Sequence, residues 1–165
     1  MKILVLSDSH SALSPMRRFV EAVKPQAIVH LGDHFDDADV LEQSFPRIPL
    51  HRVPGNCDSW RMLRYEPPVK CYDVCGVRLF MTHGHDHGVK MTLAPLVKAA
   101  REMQAVAALY GHTHRPDCHR EADGLWVLNP GSCGYGGGTA GLIEIENGEI
   151  QTMWILNQRD LEEIL

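Results

Sequence analysis

Residues 1–10 read MKILVLSDSH, a short apolar run that stops at a polar cluster. No polar residue interrupts the run from Ile3 to Leu6, which is typical of a strand buried on both faces of a sheet. Asp8, Ser9 and His10 follow at the point where such a strand would end. The stretch therefore predicts a central parallel strand whose carboxyl end carries metal-binding or catalytic side chains.

Helical and strand patterns alternate after this first strand. Ser14-Pro15 is a helix-start signal, because proline is favoured at the first helical position. Parallel strands need long crossover connections, and intervening helices supply them. The alternation therefore predicts an α/β fold with parallel strands. The predicted elements are a helix from Ser14 to a stop at Pro25, a strand at 27–29, a helix at 36–45 and a strand at 50–53.

The second half of the chain adds tight hairpins to this pattern. Cys75-Gly76 and Asn147-Gly148 each separate two strand-like runs, as hairpin turns do. We find no linker that would divide the chain, so residues 1–165 are expected to form a single domain. The predicted elements are strands at 70–74 and 77–82, a helix at 91–104, strands at 106–110 and 125–128, strands at 140–146 and 149–156, and a short terminal helix or tail at 160–165.

The composition of the chain limits the classes of function. The 165 residues carry a formal net charge of −5, which argues against broad binding to nucleic acid. No apolar run approaches the roughly 20 residues of a membrane span. Five cysteines without a tight pattern fit reduced thiols. These features predict a cytoplasmic protein that interacts with neither membranes nor nucleic acid, and they leave homo-oligomer formation open.

Polar clusters follow five of the predicted strands. Ligands of α/β sheets collect beyond the carboxyl ends of the strands, so five clusters at that edge imply one shared site. Carboxylates and imidazoles crowded together would destabilise the fold unless cations neutralise them, and this donor set suits Mn, Fe, Zn, Co or Ni. The clusters are Asp8-Ser9-His10, Gly32-Asp33, Gly55-Asn56, His83-Gly84-His85 and Gly111-His112-Thr113-His114.

Taken together, these clusters resemble those of the calcineurin-like metallophosphoesterases. The resembling set also includes Asp36, three residues after Asp33, and it runs from Met1 to beyond Ser132. The small size, Gly55-Asn56-Cys57-Asp58 and Asn129-Pro130-Gly131-Ser132 are similar to the compact bacterial and archaeal phosphodiesterases of the YfcE type. The resemblance implies a four-layer α/β/β/α sandwich.

The resemblance also implies two metal ions, with Mn expected in assays, and a hydroxide between the metals that attacks phosphorus in line. Asp33 would contact both ions, Asn56 and His83 would serve catalysis as well as metal binding, and Asp36 would support the site from behind. One ion would be held by Asp8, His10, Asp33 and His114, and the other by Asp33, Asn56, His83 and His112.

The chain departs from the larger family at two places. Many members have a histidine after the asparagine of the third cluster, whereas this chain has Cys57, a poor general acid for an alkoxide. The nearby candidates for that acid are His34, His85 and His87. After Ser132 the compact relatives often continue with Pro-Arg, whereas this chain has a glycine-rich stretch at 134–141, which we expect to be a flexible flap. Two interpretations fit Trp60, Arg61 and Arg64, namely the mouth of a pocket and a partly exposed turn of helix.

Two functions fit this sequence. The first is a phosphodiesterase or phosphatase that acts on a small phosphoester in an open, shallow site. The second is a metal-bound interaction scaffold, like the eukaryotic retromer subunit Vps29, with little or no turnover. Asp8, His10, Asn56 and His83 favour the enzyme, whereas Cys57 leaves the scaffold open. A nuclease is disfavoured, since the chain is acidic and has no basic stripe.

Overall fold

The computed structural model describes residues 1–58, 65–136 and 138–162. Trp60, Arg61 and Arg64 therefore lie outside the described residues, as do the last three positions of the predicted terminal element. In chain order the elements are β1 (Lys2–Leu6), α1 (Leu13–Val23), β2 (Ala27–His30), α2 (Phe35–Ser44), β3 (Leu50–Arg52), β4 (Val69–Val74), β5 (Val77–Thr82), α3 (Ala94–Glu102), β6 (Ala107–Leu109), β7 (Asp117–Arg120), β8 (Trp126–Asn129), β9 (Thr139–Glu146) and β10 (Glu149–Asn157), with 3₁₀ turns at His85–His87 and Gln158–Glu162.

The strands form two sheets with three parallel strands each, flanked by antiparallel strands on one side in the first sheet and on both sides in the second. The first sheet has the order β10-β9-β1-β2-β3, and the second has the order β4-β5-β6-β8-β7. β1, β2 and β3 run parallel, and β5, β6 and β8 run parallel, so each set ends at one edge of its sheet. The two strands of each predicted hairpin, β4–β5 and β9–β10, pair antiparallel.

Three apolar clusters show how the layers stack. The middle cluster joins the two sheets through side chains such as Val5 and Val29 from one and Leu79 and Leu109 from the other. A second cluster packs α1 against the outer face of the first sheet, and a third packs α3 against the outer face of the second. Among the described residues the layers therefore run helix, sheet, sheet, helix, which confirms the predicted four-layer α/β/β/α sandwich.

Two local predictions differ from the structure. β7 was absent from the predicted elements because its sequence, DCHR, has no apolar run. It is an edge strand, paired only along β8 among the described strands, so it needs little burial to form. The glycine-rich stretch at 134–141 is not a loop throughout, since β9 begins at Thr139 and is buried there between β1 and β10. No helix in the described part of the chain has both the length and the apolar composition to cross a membrane.

Candidate metal centre

The carboxyl ends of the parallel strands from both sheets meet at one edge of the sandwich. His114, which follows β6, places Nε2 3.1 Å from Oδ1 of Asp8, which follows β1. His83, which follows β5, places Nε2 3.4 Å from Oδ1 of Asp33, which follows β2. The expectation of one shared edge is therefore confirmed, and the site lies where the two sheets face each other.

Four of the predicted residues form a compact group that could hold a metal ion. Asp8, His10, Asp33 and His114 each offer one ligand atom, and these atoms all lie within 4.8 Å of one another. The Nε2 atoms of His10 and His114 are 3.2 Å apart. The group matches one of the two ligand sets that the family resemblance implies.

Asp8 shows why this group fits a cation. Its Oδ2 accepts hydrogen bonds from Ser7 Oγ at 2.5 Å and from the backbone N–H of His112 at 3.1 Å. Its Oδ1 is buried and accepts no hydrogen bond, and its near neighbour is Nε2 of His114 at 3.1 Å. Burying a carboxylate oxygen without a partner costs free energy, and a bound cation removes that cost. The donor set therefore fits a divalent metal ion at this position.

The second group is centred on His83, which is fully buried. Its Nδ1 lies 2.7 Å from the carbonyl oxygen of Leu31, which only accepts, so Nδ1 carries a proton. In the neutral form of the ring, Nε2 therefore carries a lone pair. The Nε2 atom lies 3.1 Å from Asn56 Oδ1 and 3.4 Å from Asp33 Oδ1. The ring of His112 lies edge-on to that of His83 at 5.1 Å. Three acceptors that converge in this way also suit a cation.

The protonation states of the site favour metal binding. Burial lowers the pKa of His10, and the nearby His114 lowers it further. Burial also lowers the pKa of His112 to about 4, with His83 and Lys90 adding to the effect. For Asp33, burial acts to raise the pKa, but His83 and the backbone N–H of Cys57 outweigh it and the pKa lies below its usual value. Neutral imidazoles and an ionised carboxylate are the forms that bind metals.

The backbone is unusual at the ligand positions. Asp8, His10, Asp33, His112 and His114 all have φ between 45° and 70°, the left-handed region that costs free energy for residues other than glycine. Glycines precede Asp33, Asn56 and His112, and two of them allow other groups to approach the backbone closely. A Cβ added at Gly55 would lie 2.2 Å from Asp33 Oδ1, and one added at Gly111 would lie 2.1 Å from Ser7 Oγ.

The prediction that Asp36 supports the site from behind is wrong. Asp36 is exposed on α2, whereas the next residue, Asp37, is buried. Oδ2 of Asp37 accepts hydrogen bonds from Ser9 Oγ at 2.7 Å and from the backbone N–H of Ser11 at 2.8 Å. Asp37 therefore fixes the two residues on either side of His10. Successive helical residues point about 100° apart, and the packing of α2 turned Asp37 inward.

A carboxylate that the sequence predictions left without a role, Asp58, braces the second and third clusters. Its Oδ2 accepts the backbone N–H groups of Gly55 at 2.7 Å and Asp33 at 3.1 Å, and its Oδ1 accepts that of Phe35 at 2.7 Å. These bonds tie the loop that carries Asn56 to the loop that carries Asp33. Its place two residues after Asn56, in Gly55-Asn56-Cys57-Asp58, is the sequence signal that could have identified it.

Replacing Asp58 with alanine is expected to destabilise the fold by about 3 kcal/mol, because three backbone N–H groups lose a charged acceptor. Urea unfolding of the metal-free protein measures the change, since metal binding then does not contribute. The matched control is Asp36→Ala, which removes an exposed carboxylate from the same region and is expected to cost less than about 1 kcal/mol. Equal losses in the two variants would contradict the bracing role of Asp58.

The candidate acids occupy different positions around the centre. Cys57 donates its backbone N–H to Asp33 Oδ1 at 2.9 Å, and burial together with Asp33 raises the pKa of its thiol. His34 lies edge-on to His10 with ring centroids 5.0 Å apart, and His85 lies 5.4 Å from His83. His87 instead packs edge-on against Phe80 at 5.8 Å. The structure therefore brings His34 and His85, but not His87, alongside the metal-binding groups.

The segment Asn129-Pro130-Gly131-Ser132 braces the loops on the side of the second sheet. Asn129 Nδ2 donates to the carbonyl oxygen of Gly111 at 3.0 Å and to Thr113 Oγ1 at 2.9 Å, which holds the loop between His112 and His114. Ser132 Oγ donates to the carbonyl oxygen of Asp8 at 2.7 Å. The segment thus links both sheets behind the metal-binding groups.

Comparison with known proteins identifies the same family that the sequence motifs resemble, and the match extends along most of the chain. Residues 1–148 match the family model of the calcineurin-like phosphoesterase superfamily domain. The probable metallophosphoesterase YsnB of Bacillus subtilis is 33% identical over 134 residues, which cover 80% of this chain and 75% of YsnB. The phosphodiesterase YfcE of Escherichia coli K12 is 28% identical over an alignment 184 positions long, and this alignment covers 98% of this chain and 95% of YfcE.

Solved structures share the fold. A conserved protein of Streptococcus pneumoniae TIGR4, described as a predicted phosphoesterase, superimposes with a TM-score of 0.76 at 26% identity and covers 96% of this chain and 90% of its own. Vps29 of Entamoeba histolytica, solved with Zn²⁺, superimposes with a TM-score of 0.72 at 18% identity and covers 94% of this chain and 97% of its own. The second likeness concerns the fold alone.

Proposed function

The chain belongs to the calcineurin-like phosphoesterase superfamily, and we propose that it is a phosphodiesterase that works with two divalent metal ions. The observation that carries this proposal is the convergence of acceptors at the edge of the sandwich. A buried oxygen of Asp8 accepts no hydrogen bond and lies 3.1 Å from His114 Nε2, and His83 Nε2 lies 3.1 Å from Asn56 Oδ1 and 3.4 Å from Asp33 Oδ1. The preference for diesters over monoesters follows the relative YfcE, which is named a phosphodiesterase.

We assign the ligands to two sets that share one carboxylate. Asp33 belongs to both sets, because it lies in the compact group with His10 and also 3.4 Å from His83. When bound, the ions would supply Lewis acidity, which activates water as a nucleophile and neutralises charge on the phosphoryl oxygens. The donors fit Mn, Fe, Zn, Co and Ni, and we expect Mn to support activity in assays, as the family resemblance implies. The sets are Asp8, His10, Asp33 and His114, and Asp33, Asn56, His83 and His112.

The chain's own residues set what the site accepts. Asn56 offers an amide oxygen, so it adds no negative charge that would repel an anionic substrate. Burial and Asp33 raise the pKa of the Cys57 thiol in the metal-free protein, and a neutral thiol does not repel phosphate but protonates an alkoxide poorly. Asn56, Cys57 and His114 are all exposed, which leaves the site open. We therefore expect small phosphodiesters with good leaving groups to react fastest. We also propose that the protein acts in the cytoplasm.

Hydrolysis of an aryl phosphodiester tests this function. The wild-type protein, stripped of metal and reloaded with Mn²⁺, is expected to turn over the substrate, and a chelator is expected to stop the reaction. The Asn56→Ala variant is expected to lose about a hundred-fold in kcat/KM, because a ligand of one ion is removed. Equal background rates for both proteins, with and without Mn²⁺, would exclude the enzyme.

The alternative is a metal-bound interaction scaffold, as in the second hypothesis from the sequence. The likeness of the fold to Vps29 and the cysteine at position 57 favour it. Both functions predict metal binding, so only turnover separates them. Stoichiometric binding of Mn²⁺ together with background rates of hydrolysis would support the scaffold.

A further inference from the structure

Tyr135 is a large aromatic side chain at the rim of the candidate metal centre. Its ring is nearly parallel to that of His114, with an interplanar angle of 11° and centroids 5.9 Å apart. The same ring lies edge-on to His10, with centroids 5.2 Å apart. Tyr135 nevertheless remains 60% exposed. The ring thus contacts two residues of the compact group and still presents surface to solvent.

The position of Tyr135 is set by bonds at the base of its loop. Ser132 Oγ accepts the backbone N–H groups of Gly134 at 3.1 Å and Tyr135 at 3.0 Å. The same hydroxyl donates to the carbonyl oxygen of Asp8. One serine therefore ties the start of the loop directly to the strand end that carries Asp8, and Tyr135 follows from this anchored point.

Packing alone does not account for an aromatic ring at this place. Burial of apolar surface is the usual reason for a large aromatic side chain, and this one leaves most of its surface in water. The phosphate of a substrate is an anion, and bound metal ions would hold it without a tyrosine ring. What remains for the exposed surface of Tyr135 is contact with the organic group that the phosphate carries.

We propose that Tyr135 forms a stacking subsite for a planar aromatic group next to the phosphorus of the substrate, so that aryl and nucleoside phosphoesters are preferred over alkyl ones. The proposal rests on the proposed function in one respect, namely that the neighbouring metal-binding groups hold the phosphate. Stacking needs a flat ring face and tolerates different aromatic partners. The hydroxyl group of Tyr135 has no part in it, and phenylalanine should replace tyrosine without loss.

Binding measurements on the Mn²⁺-loaded protein test the subsite without relying on turnover. The probes are methyl phosphate, phenyl phosphate and thymidine 5′-monophosphate, which share a phosphomonoester group and differ in the ring; the last two distinguish a simple aryl group from a nucleobase. Titration calorimetry is expected to show about five- to tenfold tighter binding of at least one ring-bearing probe than of methyl phosphate. Tyr135→Phe should keep this difference, and Tyr135→Leu, which retains apolar bulk without a ring face, should remove it. Methyl phosphate should bind equally to all three proteins.

Other outcomes would overturn the subsite. If Tyr135→Leu weakens all three probes by the same factor, the ring only supports His114 and contacts no substrate. If the wild type binds the three probes equally, or binds none of them, there is no aromatic subsite. The proposed function fails separately, through the absence of Mn²⁺-dependent hydrolysis of the aryl phosphodiester. A protein with selective binding of ring-bearing probes but no turnover would keep the subsite and reject the enzyme.

Discussion

Replacement of Asp33 by asparagine is expected to lower kcat/KM for an aryl phosphodiester by about a thousand-fold. Asp33 belongs to the compact group with Asp8, His10 and His114, and its Oδ1 also lies 3.4 Å from Nε2 of His83. One substitution therefore weakens both halves of the centre. An asparagine keeps the size of the side chain but removes the negative charge that both ions would share.

The matched control for this prediction is Asp36→Asn, three residues away on the exposed side of α2. It changes the net charge of the protein by the same amount and is expected to leave kcat/KM unchanged. Steady-state kinetics with saturating Mn²⁺ and metal analysis of both purified variants provide the measurements. Equal losses in the two variants would indicate a general charge effect and would contradict the proposed place of Asp33 in both ligand sets.

The second large effect concerns the free energy of unfolding, and it is expected to differ between the metal-free and the metal-loaded protein. Asp8→Asn is expected to stabilise the metal-free protein by about 1–3 kcal/mol, because the buried Oδ1 that lacks a donor is replaced by a neutral amide. The amide can still accept the bonds from Ser7 and from the backbone of His112. The wild type should regain stability on adding Mn²⁺, by about 2.7 kcal/mol at a hundred times the dissociation constant. The variant should gain much less.

Urea unfolding of both proteins, in chelator and in excess Mn²⁺, measures these four free energies. Asp37→Asn serves as the contrasting variant, because Oδ2 of Asp37 is already hydrogen-bonded to Ser9 and Ser11. That substitution is expected to destabilise the protein in both conditions. If Asp8→Asn also destabilises the metal-free protein, the buried oxygen carries no unfavourable free energy and the argument for a cation beside it loses its main support.

Much of the fold could be predicted because its signals are local. The short apolar runs that became β1, β2 and β6, the helices between them and the two hairpin turns are each encoded within a few neighbouring residues. β7 could not be found in this way, since an edge strand of four half-buried or exposed residues has no apolar pattern. The stacking of two sheets was implied by the family resemblance and is confirmed by the apolar cluster between them.

Some features of the candidate site could likewise be predicted from the sequence, and others are visible only in the tertiary structure. The sequence by itself determined which strand ends carry Asp8, Asp33, His83 and His112, because polar residues that follow buried parallel strands must collect at one edge of a sheet. Only the tertiary structure decided which neighbouring side chains point into that edge. Asp37 took the place expected for Asp36, since the rotation of α2 depends on its packing against the first sheet. Contacts between distant segments also decide that Oδ1 of Asp8 is buried without a hydrogen bond and that Tyr135 is exposed to solvent.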